Sequence, residues 1–421
     1  MQEGNFSEIM IKKIFLFFIL VLIFFTSEIY SEEFVFSLDN EFNDSLVYYV
    51  CNRSEYNILI NCSVHGDEDL PYKIISEFLD KGYFENQFSY ANYIIVLKPS
   101  SYRLKNKSRY SLEGIDPNRT YISLLSKSSK LILKLLSDYD IDLILDLHEA
   151  RDRENIDFMY SNGFYSKFLL NFFKSYNIVY NKDNLNKLIE FEKNIEAIQL
   201  KIFEQLYKNS NIRVSKYSVN NYVGGYDYAS ILRNYGVIRC IPTILFENVN
   251  KENKYYITNQ VYYYFFDNLK NYLFLFKEYK SFISEMEKNF TIYYLFDKNY
   301  DNIDILLRYL NLNKIKYYYF SKVKNLNKAK LIEYNVKNTN LKTDKIGMKG
   351  LLYCDFEIYQ NEITDKNLIS NYLDNSVVIP FSLLCYYLLD PNSKESLFNF
   401  NILPLNYYKL RELPVRILII Y

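Results

Sequence analysis

The chain carries four apolar runs of strand length, at residues 56–64, 93–98, 141–147 and 241–246, each bounded by polar or turn-forming residues. Between the first two, residues 68–81 place Leu70, Ile74, Ile75, Phe78 and Leu79 at helical spacing, with Pro71 tolerated in a first turn. Residues 124–138 repeat that spacing, and 164–176 and 185–207 read as further helices. Strands alternating with helices predict an α/β fold, with a mixed, mainly parallel central sheet flanked by helices. A short strand or two is expected within 33–50, and one long aromatic helix over 255–283, packed across the sheet.

The pattern changes near residue 288. Runs at 291–296, 315–320 and 350–359 read as strands around a helix at 303–312, which predicts a smaller C-terminal α+β domain. A chain of 421 residues has room for both, because single cores stop growing at roughly 250 to 300 residues. The expected division is 1–31, a signal peptide or N-terminal anchor; 32–287, the catalytic domain; and 288–421, the accessory domain.

Composition narrows the partners. Lys plus Arg and Asp plus Glu both total 50, so no overall field draws nucleic acid or an anionic membrane. Lys12 and Lys13 precede about a dozen apolar residues, a signal-peptide pattern too short for a comfortable membrane span. Cleavage after Ser31 and retention as a membrane anchor are the two outcomes, and either puts the chain outside the cytoplasm. The five cysteines form no Cys-x-x-Cys pair, so a disulfide framework is not expected. Cys51 with Cys62 is the one pairing that export leaves open.

Only two histidines occur, His65 and His148, and each closes an apolar strand run. His65 is followed three residues later by Glu68, at a strand-to-helix turn. Two imidazoles and a carboxylate are one of the ligand sets of a catalytic zinc site, which keeps a position open for water. The set His65, Glu68 and His148 predicts one Zn²⁺ per chain. A third apolar run ends at Glu247, a candidate general base and acid.

These residues resemble the zinc carboxypeptidase family, in which His-x-x-Glu follows one strand and a second His follows a later one. The resemblance extends to Asp116-Pro-Asn118-Arg119 and to Glu247, spans residues 56–279, and keeps the family's order. The Asp146-Leu-His148 form also resembles the succinylglutamate desuccinylase and aspartoacylase branch.

The resemblance implies that Glu247 moves the proton, that Asn118 and Arg119 bind the substrate carboxylate, and that Arg103 polarises the carbonyl, with Arg109 as the alternative. Asp116 would orient His65. A tyrosine beside Gly224-Gly225, Tyr222 or Tyr226, would close on the substrate, with Tyr222 preferred because it precedes the glycines. The activity expected is that of an exported zinc metallocarboxypeptidase acting on a peptide with a free carboxylate, cell-wall peptides being one class. An amidohydrolase acting on N-acyl amino acids and a non-catalytic zinc-containing binding protein are the alternatives. The C-terminal domain is expected to cover the cleft.

Overall fold

The run from Ile58 to Cys62 is shielded from solvent on both faces, which an apolar strand achieves only inside a covered sheet. In the computed structural model, which describes residues 45–98, 106–111, 114–150, 156–178, 180–217, 228–249, 253–319, 326–343, 352–393, 396–397, 399 and 412–420, it lies at the centre of the larger of two sheets. The N-terminal segment, Arg103, Tyr222, Tyr226 and the Gly224-Gly225 loop lie outside the described residues.

The strands of this first sheet are β1 (Leu46–Val50), β2 (Asn57–Cys62), β3 (Asn92–Lys98), β4 (Leu143–Ala150), β5 (Phe158–Asn162), β6 (Val214–Lys216) and β7 (Thr243–Val249). Their order is β1-β3-β2-β4-β7-β5-β6. Strands β3, β2, β4 and β7 run parallel, while β1 and β5 pair antiparallel to their inner neighbours. This is the mixed, mainly parallel sheet that the alternation predicts.

From β2 the chain passes through helix α1 (Leu70–Asp80) and the short α2 (Tyr83–Asn86) to β3 on one side. It then returns through α3 (Lys127–Asp138) to β4 on the other side of β2. The strand order therefore reverses beside β2, and open sheets of this kind hold ligands outside the carboxyl ends at such a point. The same sheet adds α4 (Tyr165–Tyr176), α5 (Lys182–Ser210) and α6 (Leu232–Ile238). Gly236 of α6 is required by contact. A Cβ there would lie 2.1 Å from Thr243 Oγ1 and 2.8 Å from Ile144 Cδ1, so its absence lets α6 sit directly on β7 and β4.

The single helix expected over 255–283 is two, α7 (Lys254–Leu269) and α8 (Leu273–Lys288). Between them the Asn271 and Tyr272 amides bond to carbonyls three residues back, tightening the chain out of α geometry. The bend buries both Leu269 and Leu273, each 1% exposed, which fixes its place without Pro or Gly.

The second sheet is antiparallel, in the order β10-β9-β12-β8-β11. It is built from β8 (Ile292–Asp297), β9 (Ala329–Thr343), β10 (Leu352–Ile363), β11 (Ser376–Pro380) and β12 (Glu412–Ile420), with α9 (Ile303–Leu312), α10 (Lys366–Asp374) and α11 (Leu383–Leu389). The strand expected at 315–320 is reduced to one bridge, Tyr318 to Val378, and Tyr318 and Tyr319 stand half exposed. One apolar core runs through both sheets, with the Phe172 ring 4.5 Å from Phe381. Cys51 is an exposed free thiol and Cys62 a buried one, so the pairing left open by export does not form. Among the described residues no helix is long and apolar enough to cross a membrane.

Candidate metal centre

Strand β2 ends at Cys62, and Ser63 takes a positive φ of 51° that turns the chain out of the sheet. The Ser63 hydroxyl donates to the Glu68 carbonyl at 2.9 Å, and the Glu68 amide to the His65 carbonyl at 3.2 Å, closing a tight turn. His65 and Glu68 thereby project over the end of the sheet. Strand β4 delivers His148 from the neighbouring parallel position, and β7 places Glu247 directly opposite His148 in the register.

The three ligand candidates converge. His65 Nδ1 lies 2.6 Å from Glu68 Oε1, His148 Nδ1 lies 2.8 Å from Glu68 Oε2, and the ring centroids are 5.2 Å apart. One donor atom from each falls within 4.8 Å of the others. All three residues are buried. Each imidazole is also held from behind: His65 Nε2 is 2.9 Å from Asp116 Oδ1, and His148 Nε2 is 3.2 Å from Asp146 Oδ2. Asp146 in turn accepts from Asn61 Nδ2 at 2.9 Å across the β2–β4 pair. A carboxylate behind each ring fixes its orientation and turns Nδ1 inward, the arrangement that accompanies histidines ligating a metal. With two nitrogens, one carboxylate and no thiolate, the donor set suits a borderline divalent cation such as zinc.

Electrostatics favour the charged forms of Glu68, Asp116 and His148. Burial alone would raise the Glu68 carboxyl, but His65 and His148 pull it below the usual carboxylate range. Asp116 behaves alike: burial is outweighed by His65, Arg119 and Arg109. Burial opposes charge on His148, yet Asp146 and Glu68 raise its pKa well above the ordinary value. Glu247 differs. Its side chain opens onto the cavity but is surrounded by protein at depth, and burial pushes its carboxyl up to about 7, with Glu68 and Asp146 adding and His148 opposing.

A cavity of about 270 Å³ is lined by His65, Glu68, Asp146, His148 and Glu247 together with Arg109, Asn118, Arg119, Tyr217 and Arg233. Asn118 spends its side chain locally, accepting from the Leu232 amide at 3.0 Å and standing 3.3 Å from His148 Nε2. Arg119 donates to the Asn118 carbonyl at 2.8 Å, and its Nε is buried with no hydrogen-bond partner among the described residues. Arg109 donates to Asp116 at 3.1 Å and lies 3.5 Å from Glu68. Glu149 also lines the cavity, but its oxygens serve the Leu70 amide at 2.6 Å and Lys254 at 3.2 Å, so it caps α1 rather than competing with Glu247.

The sequence brought His65, Glu68, Asp116, Asn118, Arg119, His148 and Glu247 into view, and the structure gathers them all. It places Arg109 against the centre, whereas Arg103 and Tyr222 lie outside the described residues. Arg233 was not singled out, because nothing in the local pattern of 231–238 distinguishes it from a solvated helix residue. Among the described residues, none of the second sheet lines the cavity. The C-terminal region meets the turn before α3, where the Tyr309 hydroxyl of α9 donates to the Ser123 carbonyl at 2.8 Å.

No protein-family model matches the chain, and no curated protein matches it. Solved structures similar to it include a metallo-carboxypeptidase from Pseudomonas aeruginosa in complex with (2-guanidinoethylmercapto)succinic acid, at 12% identity over 55% of this chain and 61% of that one, TM-score 0.41. A metallo-carboxypeptidase from Burkholderia cenocepacia matches at 10% identity over 55% and 61%, TM-score 0.40. A succinylglutamate desuccinylase from Chromobacterium violaceum matches at 13% identity over 53% and 67%, TM-score 0.35. The match spans 61% of the length of each of the first two.

Proposed function

We propose that the chain is a zinc-dependent hydrolase that cleaves an amide bond next to a free carboxylate, acting as a metallocarboxypeptidase. The observation that carries this reading is the convergence, in one cavity, of His65, Glu68 and His148 with a carboxyl at Glu247 and the guanidinium of Arg119. A zinc ion held by the three would act as a Lewis acid on the scissile carbonyl and lower the pKa of water.

The chain's own groups supply the rest. Glu247 takes a proton from the attacking water and returns it to the leaving nitrogen, a task suited to a carboxyl whose pKa stands near neutrality. Arg119, which lines the cavity, offers its guanidinium to the substrate carboxylate as a planar fork. Asn118 fixes the neighbouring wall through Leu232 and His148. Arg109 neutralises Asp116 and Glu68 and so keeps the histidines oriented. The roles of Arg103 on the carbonyl and of Tyr222 over the substrate rest on the resemblance alone. Export follows from the N-terminal apolar segment, and cell-wall peptides are the substrate class that export favours.

The modest volume of the cavity favours a second substrate class, N-acyl amino acids, which need the same centre. Zinc-loaded protein assayed on a panel of peptides and N-acyl amino acids separates the two. Glu247→Gln is expected to lower kcat by about 100- to 10,000-fold while zinc content stays near one per chain. Hydrolysis unchanged in that variant would remove Glu247 from the mechanism. Zinc-loaded wild type inert on the whole panel would leave a binding protein.

A further inference from the structure

Helices α3 and α9, one from each side of the junction between the two sheets, are tied together at two places. Tyr309 bonds to Ser123 just ahead of α3. At the last turn of α3 the Ser137 hydroxyl donates to the Leu312 carbonyl at 3.1 Å, and Lys314 donates to the Ser137 carbonyl. The α3 stretch flanked by these ties lines one wall of a hollow of about 810 Å³, and α9 lines the other. No residue of this lining belongs to the cavity of the metal centre.

The wall divides by chemistry. Leu124, Leu125, Leu133, Ile305 and Leu312 give it an apolar surface, and Leu312 stands 46% exposed. The charged lining is Lys130, Lys134, Arg308 and Lys314 against Asp138 alone, in a chain whose charges balance at 50 of each sign. Asp138 is engaged by Lys134 at 2.8 Å. Arg308 forms no ion pair with a described residue, and its guanidinium stands close enough to act on the neighbouring phenol: burial pushes Tyr309 up to about 12, with Arg308 opposing. The hollow therefore pairs an uncovered apolar wall with a positive rim.

The geometry points to a binding site for a small anionic amphiphile, an acyl chain ending in a carboxylate or a phosphate, held between α3 and α9 independently of the metal centre. The acyl chain packs on the leucines and Ile305, and the head meets the Arg308 fork, which matches the planar oxygens of either anion. Lys130 and Lys134 on the facing helix add to the same field. Size favours a small molecule over a protein partner. The volume falls within the roughly 300 to 1,000 Å³ of small-molecule sites, which gather where domains meet. Helix α3 has 12 residues, so the ties confine the hollow to roughly 18 Å along it. A stable protein interface covers roughly 800 Å² on each partner and would have to run past both ties.

The test is calorimetric titration of the full chain, zinc-loaded and again after chelation, with hexanoate, octanoate, decanoate, monodecyl phosphate and the neutral-headed decanoyl-N-methylglucamide, all below micelle formation. Saturable binding of decanoate or decyl phosphate is expected, and whichever binds tighter tells a fatty-acid head from a phospholipid-type head. Affinity should rise by up to about fourfold for each added methylene, and the neutral head should bind at least about fivefold more weakly than the anions. Arg308→Gln, an exposed position on α9, should cost the anions about five- to tenfold, leave the neutral amphiphile unchanged and reduce the salt dependence. Leu312→Gln should weaken all of them. Removal of zinc should change none of these affinities, which keeps the result separate from the hydrolase reading and from carboxylate binding at the metal centre. The assignment is overturned if neither anion saturates the wild type, if the neutral head binds equally well, or if both variants bind like wild type. Binding that disappears with zinc also overturns it, because the ligand is then at the metal centre. An acidic amphipathic peptide that binds in an Arg308-dependent way while the amphiphiles do not would make the hollow a protein-docking groove instead.

Discussion

Two buried polar clusters in this molecule use carboxylates in opposite ways. At the metal centre, Glu68 and Asp116 are surrounded by His65, His148, Arg109 and Arg119, and their pKa values fall. At the seam between the two sheets, Asp390 accepts from the hydroxyls of Tyr176 and Tyr334, while Glu287 accepts from the Tyr165 hydroxyl and the Leu383 amide. Deeper in the helical flank, Glu192 accepts from the Ser166 amide and the Tyr279 hydroxyl. Burial outweighs these neutral donors, so all three carboxyls are raised, Asp390 to about 7. The lesson is that burial alone makes no functional site. A carboxyl facing phenols is held near neutrality and joins elements, whereas one facing cations stays charged and can hold a metal.

The largest effect expected from this contrast is on metal binding. His148→Ala should weaken zinc affinity by more than about 100-fold, beyond the upper end of what losing an outer hydrogen-bond partner costs; competition with a chromophoric chelator measures it. Near-normal zinc binding in that variant would dissolve the distinction between the two clusters. Next comes Asp116→Asn, which leaves the ligand atoms in place but loosens His65. A drop of about 10- to 100-fold in zinc affinity is expected, with the fold intact by circular dichroism.

The effect that leaves zinc affinity untouched, and so sharpens the comparison, belongs to the seam. Asp390 has a folded pKa of about 7 against about 3.9 in an unfolded chain. Its contribution to stability is therefore fully present below about pH 4 and is lost as pH rises to about 7. Denaturant titrations should show stability falling across that interval, on the order of a few kcal/mol from this group. Asp390→Asn should flatten the slope while zinc affinity stays at the wild-type value. For Glu68 and Asp116 the sign is reversed: their lowered carboxyls give stability that is lost as pH falls. A seam variant that shifts zinc affinity would mean the two clusters are coupled.

Much of the centre was legible in the chain because its signals are local. A strand that must be apolar on both faces ends where the polar residue begins, so His65, His148 and Glu247 stand out at the ends of 56–64, 141–147 and 241–246. Helix α9 was legible for the same reason, since its apolar spacing is complete within 303–312. What escaped was short or distant. Strands β5 and β6 have five and three residues, too few for a periodic signal. Strand β12 inserts between β8 and β9 from the far end of the chain, a placement that no local pattern encodes.

The sequence by itself determined which residue types could hold a metal and move a proton, because it offers two histidines and puts each where a strand stops. Only the tertiary structure decided which nitrogen of each ring faces inward, since that depends on Asp116 and Asp146 reaching the opposite nitrogens. It also decided that Arg109 stands against the centre and that Arg233 lines the cavity. The physical reason is the same in each case. A side chain's chemical type is a property of one position, whereas its charge state, orientation and neighbours are set by segments tens of residues away that meet only when the sheet closes.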